Sequence, residues 1–553
     1  MRLPPLSALL LASAAMLQAA QPTFIQNARV FDGVRMLPRA NVLIVDDKIQ
    51  AAGRDLTPPA GAHIIDAAGK CLLPGLIDAH THIQSPEDLK TALAFGVTTY
   101  LDMFTLHTMA AAMRAEQNAG KGLDRADLRS AGTLVTAPGG HGTEYGVPIP
   151  TLAGPKDAQA FVDARIAEGS DYIKLVKDDG SAFGFHRPTL DRQTLAAAIA
   201  AAHLRKKLAI VHIATLQDAR DALESGADGI AHIYAGPPDR AIVREAAARR
   251  VFWVPTLAVN AEGCPEQSAA IADDPRLAPY LSPQAVSNLR ARQLAAHFNA
   301  DACPAMFAAV RQLKVAGVRI FAGTDVPNPG TAHGASLHAE LELLVKAGLT
   351  PVEALAAATS QPAAAFGLSD RGRIAPGLRA DLLLVDGEPD RDIRASRNIA
   401  GIWKLGVAIS RPAPSPASLP AAPAATADTR PDFTGIWKLN ETLSGTPAGG
   451  VREVVFIIEH KDPNFKYSAT GKRAFNAAFS EAYECTTDGK LPADPAKVSM
   501  AGNWQSATLL LSLYKDGKEL MKFSFRVSAD GKQMTREADL PGGRKIREVY
   551  DRQ

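Results

Sequence analysis

Cysteine is scarce: Cys71, Cys264, Cys303 and Cys485 are the only four in a chain of 553 residues. Four do not make a disulfide scaffold of that size. Cys264 and Cys303 fall in one irregular region and are candidates for a pair, with four free thiols as the alternative. Charge of one sign is scarce as well. The formal net charge is +2 and no long block of one sign occurs, so neither nucleic acid nor a polybasic membrane contact is expected. Beyond the N-terminus no apolar run reaches the ~18 uninterrupted residues of a membrane span. No G-x-G-x-x-G phosphate loop follows the first strand of the central region, which counts against a dinucleotide fold.

What is present is ordinary for a soluble globular protein: 46% hydrophobic and 21% charged residues, in a chain long enough for several domains. The start, MRLPPLSALLLASAAMLQAAQ, places Arg2 before an apolar run and then small residues. That is the layout of an export signal over residues 1–20, a lone membrane anchor being the alternative. No cysteine follows it, which counts against a lipid anchor.

Residues 21–74 read as short strands between turn signals such as Asp32-Gly33. A similar piece, GRIAPGLRADLLLVDGEP, returns within 371–411. Neither buries a core alone, so together they are expected to form one composite β-sandwich. Between them, 75–370 alternates candidate strands (LPGLIDAHT, VTTYLDM, DLRSAGTLV, DYIKLVK, LAIVHIA, DGIAHIY, VFWVPTL, VRIFAGTD) with helical patterns, several ending in Gly. A longer helical stretch is expected over 282–316. Eight such units predict an α/β protein with a (β/α)8 barrel, an open doubly wound sheet being the alternative. Residues 412–430 are rich in Pro, Ala and Ser and read as an extended linker. Beyond them, 431–553 alternates apolar and polar residues around Asp-Gly turns, the pattern of a separate antiparallel β-barrel or sandwich. Its opening, PDFTGIWKLN, resembles the start of small lipocalin-like domains.

Barrel enzymes gather their chemistry at the C-terminal ends of the strands. Read there, strand 1 offers His80 and His82, strand 4 Lys174, strand 5 His212, strand 6 His232 and strand 8 Asp325. Each has a plain alternative: a packed histidine, a helix-capping aspartate, a lysine snorkelling to solvent. Four histidines and an aspartate at matching strand ends point instead to a divalent metal site. His141, in Gly139-Gly140-His141-Gly142 after strand 3, is a candidate for polarising a carbonyl or holding a carboxylate. Tyr145 shares its loop; His107, His186 and His333 lie in other strand-end loops, where packing or surface roles compete.

With these motifs in order, residues 22–410 resemble the amidohydrolase superfamily, in the branch similar to imidazolonepropionase-like hydrolases and metal-dependent Xaa-Pro dipeptidases. PGLIDAHTH, APGGHG, DYIKLV, VHIAT, GIAHIY, FAGTDVP and HGASLHAELELLVKAGLTPVEALAAAT carry the resemblance. It implies two divalent ions, zinc being the expected metal. His80, His82 and Asp325 would hold one ion and His212 and His232 the other. Lys174 would bridge them as a carbamate, since an ammonium cannot ligate a cation. It further implies Asp325 as the proton carrier in hydrolysis of an amide, an N-acyl amino acid, a short peptide or a cyclic amide. An esterase, lactonase or phosphotriesterase on the same centre, or a binding protein without catalysis, are the alternatives. Where the peptidase branch often carries Ser-Gly-Gly after its lysine, this chain has Lys177-Asp178-Asp179-Gly180, which leaves the substrate class open. The expected partner is a small molecule, in a periplasmic or secreted protein, with homo-oligomers possible.

Overall fold

The computed structural model describes residues 21–553 apart from 146–147, 235, 262–263, 265–267, 292–301, 413–430, 441–443, 445–451, 473–477, 489–498, 506–507, 516–517, 529 and 540–544. The expected export signal and nearly all of the expected linker lie outside the described residues.

The central region is a closed barrel of parallel strands. They run Leu76–Thr81, Val97–Asp102, Asp127–Ser130, Ile173–Lys177, Ala209–Ile213, Gly229–Ala231, Phe252–Val254 and Arg319–Ile320. The first three pair in one ladder and the other five in a second. Two seams join them. Val135 donates its N–H to the Lys174 carbonyl at 2.8 Å, and Val176 donates to Val135 at 2.9 Å. On the other side Ala79 donates to Ala322 at 2.9 Å and His82 to Val326 at 2.7 Å. The first two strands are buried along their whole length, as strands covered on both faces must be, which is why they read as apolar runs.

Several helices between the strands begin at polar caps. Thr215 accepts from the Asp218 N–H while the Asp218 side chain returns a bond to the Thr215 backbone, a capping box that Thr350 and Glu353 repeat. Most helix-to-strand returns use a glycine with positive φ, among them Gly96, Gly169, Gly226 and Gly317. The single helical stretch expected over 282–316 is not continuous. Pro283–Arg290 is a helix that ends at Ala291 (φ −66°, ψ 143°), and a second helix spans Ala302–Val315. Apolar periodicity cannot reveal an extended residue between two helices. Cys264 and Cys303 form a disulfide, and Cys71 and Cys485 are free and buried.

Both flanks contribute to one eight-stranded sheet. Lys70–Pro74, just before the barrel, pairs antiparallel with Leu382–Asp386, just after it. The sheet also turns back on itself: Ile49 donates to Leu378 and Gly377 to Ile49, both at 2.8 Å. It thereby encloses a small core of Ile25, Val42, Ile44, Leu72, Leu382 and Trp403. A buried charge cluster fastens it to the barrel. Asp127, at the start of the third barrel strand, receives Lys404 Nζ at 2.7 Å, Arg371 Nη1 at 2.5 Å and Arg379 Nη1 at 2.7 Å. Burial works against ionising Asp127, but these three cations outweigh it and hold the carboxyl well below its usual range.

The C-terminal region is a separate nine-stranded antiparallel sheet that nearly closes into a barrel. Its first strand, Gly435–Leu439, pairs with its last, Lys545–Arg552. Among the described residues its two edges meet at a bridge between Asp488 and Asn503. Trp437, Phe456, Phe465, Phe525 and Tyr550 fill the core. Among the described residues no helix is long and apolar enough to cross a membrane.

Candidate active site

The seam between the eighth strand and the first builds the site. Asp325 donates its N–H to the His80 carbonyl at 2.7 Å. Beneath it, buried Asp78 accepts from the N–H groups of His80 (3.2 Å) and Thr324 (3.1 Å) and from the Thr324 hydroxyl (2.7 Å). Gly323 permits this approach: a Cβ there would lie 2.9 Å from the His80 nitrogen. Two side chains of the site sit on backbone that non-glycine residues rarely adopt, His232 with φ 74° and Asp325 with φ 59°. Such conformations cost on the order of 1–3 kcal/mol each and persist only where the surroundings enforce them. Around His232 they do. Its N–H bonds the Val254 carbonyl at 2.9 Å, and its own carbonyl accepts the Trp253 indole N–H at 2.7 Å.

One donor group consists of His80, His82 and Asp325, whose ligand atoms lie within 4.8 Å of one another. Asp325 Oδ1 is 2.9 Å from His82 Nε2 and 3.2 Å from His80 Nε2. His82 is oriented by its other nitrogen, 3.1 Å from the Phe104 carbonyl. Lys174 Nζ stands 3.2 Å from His80 Nε2. A second group consists of His212, His141 and Asp178, with His212 Nε2 3.7 Å from Asp178 Oδ2. His232 lies between the two groups. Its ring centroid is 4.7 Å from that of His80 and 4.3 Å from that of His212, and its Nδ1 is held 2.8 Å from the Thr256 hydroxyl.

Burial sets the charge states. It pushes His80 down to about 3, helped by the Lys174 charge, and His212 down to about 4. His232 falls well below its ordinary value, through burial first and then the neighbouring His212. His82 goes the other way: burial opposes the charged ring, but the bond to Asp325 and its charge outweigh that. Asp325 stays well below the carboxylate range because His80 and His232 overcome its burial. Burial brings the Lys174 amine down to about 7. The cup therefore presents neutral imidazoles at His80, His212 and His232, a His82 ring biased toward its charged form, an ionised carboxylate and a readily deprotonated amine.

The residues fit divalent transition-metal ions. Nitrogen and carboxylate donors are what such ions take. His80 Nδ1, His212 Nε2 and Asp178 Oδ2 are buried without a hydrogen-bond partner, which is costly unless something else satisfies them.

His141 is part of the cup, its ring 4.8 Å from that of His212. Its Nδ1 lies 2.6 Å from Glu144 Oε1 and 2.7 Å from Arg187 Nη1, and Arg187 also donates to the same Oε1 at 2.7 Å. Arg187 Nη2 is 3.5 Å from Asp178. Glu144 is held down at about 2; burial opposes this, but His141 and Arg187 prevail. Tyr145 stands beside His141 (5.9 Å between centroids) and Phe104 (6.2 Å) and is 55% exposed. The other loop histidines are not among the grouped donors of the cup. His333 packs half-buried against Tyr100 and Asp88, near enough to His82 to feel its charge. His107 faces Glu168 at 3.8 Å, and exposed His186 faces Asp179 at 4.0 Å. Sequence reasoning did not single out Asp178, Glu144 or Arg187. Only the Lys177-Asp178-Asp179-Gly180 departure marked that loop.

The amidohydrolase family profile matches residues 71–422, and the chain belongs to that family. An imidazolonepropionase from Cereibacter sphaeroides (strain KD131 / KCTC 12085) is 29% identical over 409 residues, covering 69% of this chain and 95% of the relative. The crystal structure of a Xaa-Pro dipeptidase with methionine bound in its active site superposes with a TM-score of 0.57. That match has 23% identity and covers 70% of this chain and 99% of that one. Molinate hydrolase superposes with a TM-score of 0.57 at 19% identity, covering 75% and 98%. At those identities the structural matches show the fold alone. Family membership makes this chain a hydrolase of carbon–nitrogen bonds.

Proposed function

We propose that the chain is an exported, metal-dependent amidohydrolase that cleaves the amide of a small substrate with an apolar or aromatic group: an N-acyl amino acid, a short peptide or a cyclic amide. The convergence of His80, His82, His212, His232, Lys174 and Asp325 in one buried cup carries this reading. Two divalent ions, expected to be zinc, would be held by these side chains, with His141 and Asp178 beside His212. Bound there, such ions supply Lewis acidity to the scissile carbonyl and lower the pKa of water.

The remaining steps belong to the chain's own residues. The unprotonated Lys174 amine would add to carbon dioxide; its nitrogen gains a bond to carbon and gives up a proton to solvent, and the two former carbon dioxide oxygens become anionic donors. Asp325 Oδ1 is engaged by two imidazoles, whereas Oδ2 has only His232, at 3.9 Å. Oδ2 is thus the oxygen that takes a proton from the attacking water and returns it to the leaving nitrogen. Of the two groups at His141 Nδ1, only Glu144 accepts a hydrogen bond. Nδ1 therefore donates to Glu144, and Nε2 is left an acceptor, fit for a metal ion beside His212 rather than for a substrate carbonyl oxygen. Tyr145, Phe104 and Phe185, the last with Arg187 stacked 4.6 Å over it, give the mouth an apolar lip. Phe185 is 46% exposed, and a large apolar substrate group covering that surface would gain burial energy. The Cys264–Cys303 disulfide supports an oxidising, extracytoplasmic location.

The test is to purify the protein, count metal ions per chain and screen N-acyl amino acids, dipeptides, lactones and phosphotriesters. Amide hydrolysis that a chelator removes and zinc restores is expected. Turnover of lactones or phosphotriesters alone, or metal without any hydrolysis, overturns the reading.

A further inference from the structure

At the opposite end of the barrel from the metal cup, the N-terminal ends of the fifth to eighth strands surround a cavity of about 320 Å³. That is at the lower end of the size range of small-molecule sites. Its floor is apolar: Leu208 and Phe252, the latter stacked 4.7 Å from Phe321. The floor is also rigid. Gly229 lies under the Phe252 ring, where a Cβ would come within 2.2 Å of it.

The rim is cationic. Arg249, Arg250 and Arg319 line it with a single acid, Asp228. That acid is already committed, accepting the Ala209 N–H and facing His203 Nε2, both at 2.8 Å. Arg249 is tied back to Glu245 at 2.9 Å. Arg250 and Arg319 have no carboxylate partner among the described residues. Instead Arg319 Nη2 donates to the Arg250 carbonyl at 3.0 Å, which brings the two like-charged residues together. Arg250 also occupies a position its chemistry disfavours. It ends a helix-to-strand return with φ 59°, as Lys206 does with φ 56°, where the returns at Gly96, Gly169, Gly226 and Gly317 use glycine. Both arginines are solvent-exposed, and an anion bridging them would gain charge-assisted hydrogen bonds from two guanidinium groups at once.

We propose that this cavity is a second ligand site, which takes a small organic anion. A carboxylate or phosphate head would be held between Arg250 and Arg319, with a short apolar body on Leu208 and Phe252. The site is independent of the hydrolytic reading, since none of its residues belongs to the cup.

The test measures thermal unfolding of the metal-loaded full chain in benzoate and in inorganic phosphate, each against chloride at matched ionic strength. Wild type is expected to unfold at a higher temperature in at least one of them, and which one distinguishes a carboxylate from a phosphate ligand. Arg250→Gly, which relieves the left-handed residue, is expected to unfold no earlier than wild type in chloride and to lose at least half of the anion-induced rise. Arg319→Gln is expected to lose a similar share. Absence of any rise over chloride in wild type overturns the site. So does a rise that Arg250→Gly keeps by more than half, because the anion then binds elsewhere, the metal cup included.

Discussion

His82 Nε2 and Asp325 Oδ1 lie 2.9 Å apart although 243 positions separate them in the chain. The contact exists because the eighth barrel strand closes against the first, and Asp325 is held there by its own N–H on the His80 carbonyl. Replacing Asp325 with Asn keeps the shape and removes the charge. The other donors of the cup remain, so metal content by elemental analysis should fall little. Turnover should drop on the order of 10²–10⁴-fold, the range for loss of a positioned proton carrier. Retained turnover removes Asp325 from that role.

Lys174 gives a complementary prediction. Lys174→Ala takes away the nitrogen that would carry the bridging carboxylate, so metal per chain should fall and turnover with it. Acetate or propionate can occupy the space left and offer the missing oxygens, and both quantities should recover in part. A Lys174→Ala protein that binds as much metal as wild type leaves Lys174 as a packing residue only.

How much of this site could be read from the chain alone follows from what each residue depends on. His80, His82, His212, His232 and Asp325 sit at or just past strand ends, and the period of two and the barrel topology place those ends on one mouth, whereas Lys174 is the second of the five residues of its strand. The composite sheet was legible because neither flank is large enough to bury a core alone. Asp178, Glu144 and Arg187 were not legible, because they come from loops whose course depends on packing. Arg187 reaches Glu144 across 43 positions, and no local pattern fixes that. The grouping of His212 with His141 and Asp178 rather than with His232 alone was hidden for the same reason. The Asp127 cluster was equally out of reach, because its cations arrive from beyond residue 370.

The apolar lip makes a prediction about substrate choice. Tyr145→Phe keeps the ring, and Tyr145→Ala removes it. If the ring covers an aromatic or large aliphatic group of the substrate, Tyr145→Ala should lower kcat/KM about 10-fold for N-acyl-phenylalanine relative to N-acyl-alanine. That corresponds to about 1.4 kcal/mol of lost burial. Tyr145→Phe should keep the wild-type ratio. Equal ratios in wild type and Tyr145→Ala place the specificity elsewhere.

Glu340 predicts a pH dependence of stability that is separate from catalysis. It lies fully buried, with Oε2 accepting the Ala258 N–H at 2.6 Å and Oε1 without a partner. Burial raises its carboxyl to about 8. Between the unfolded value of about 4.3 and that folded value, the native chain keeps a proton that the unfolded chain releases. Stability from this residue is therefore present at low pH and declines as pH rises through that window, by at most about 1.4 kcal/mol per pH unit. Glu340→Gln cannot ionise and can still accept from Ala258. Urea unfolding at pH 5 and at pH 8 should show the variant gaining on wild type as pH increases. A stability difference that stays constant between those two pH values means that Glu340 has already lost its proton in the folded chain at pH 5, and that its burial does not govern its charge.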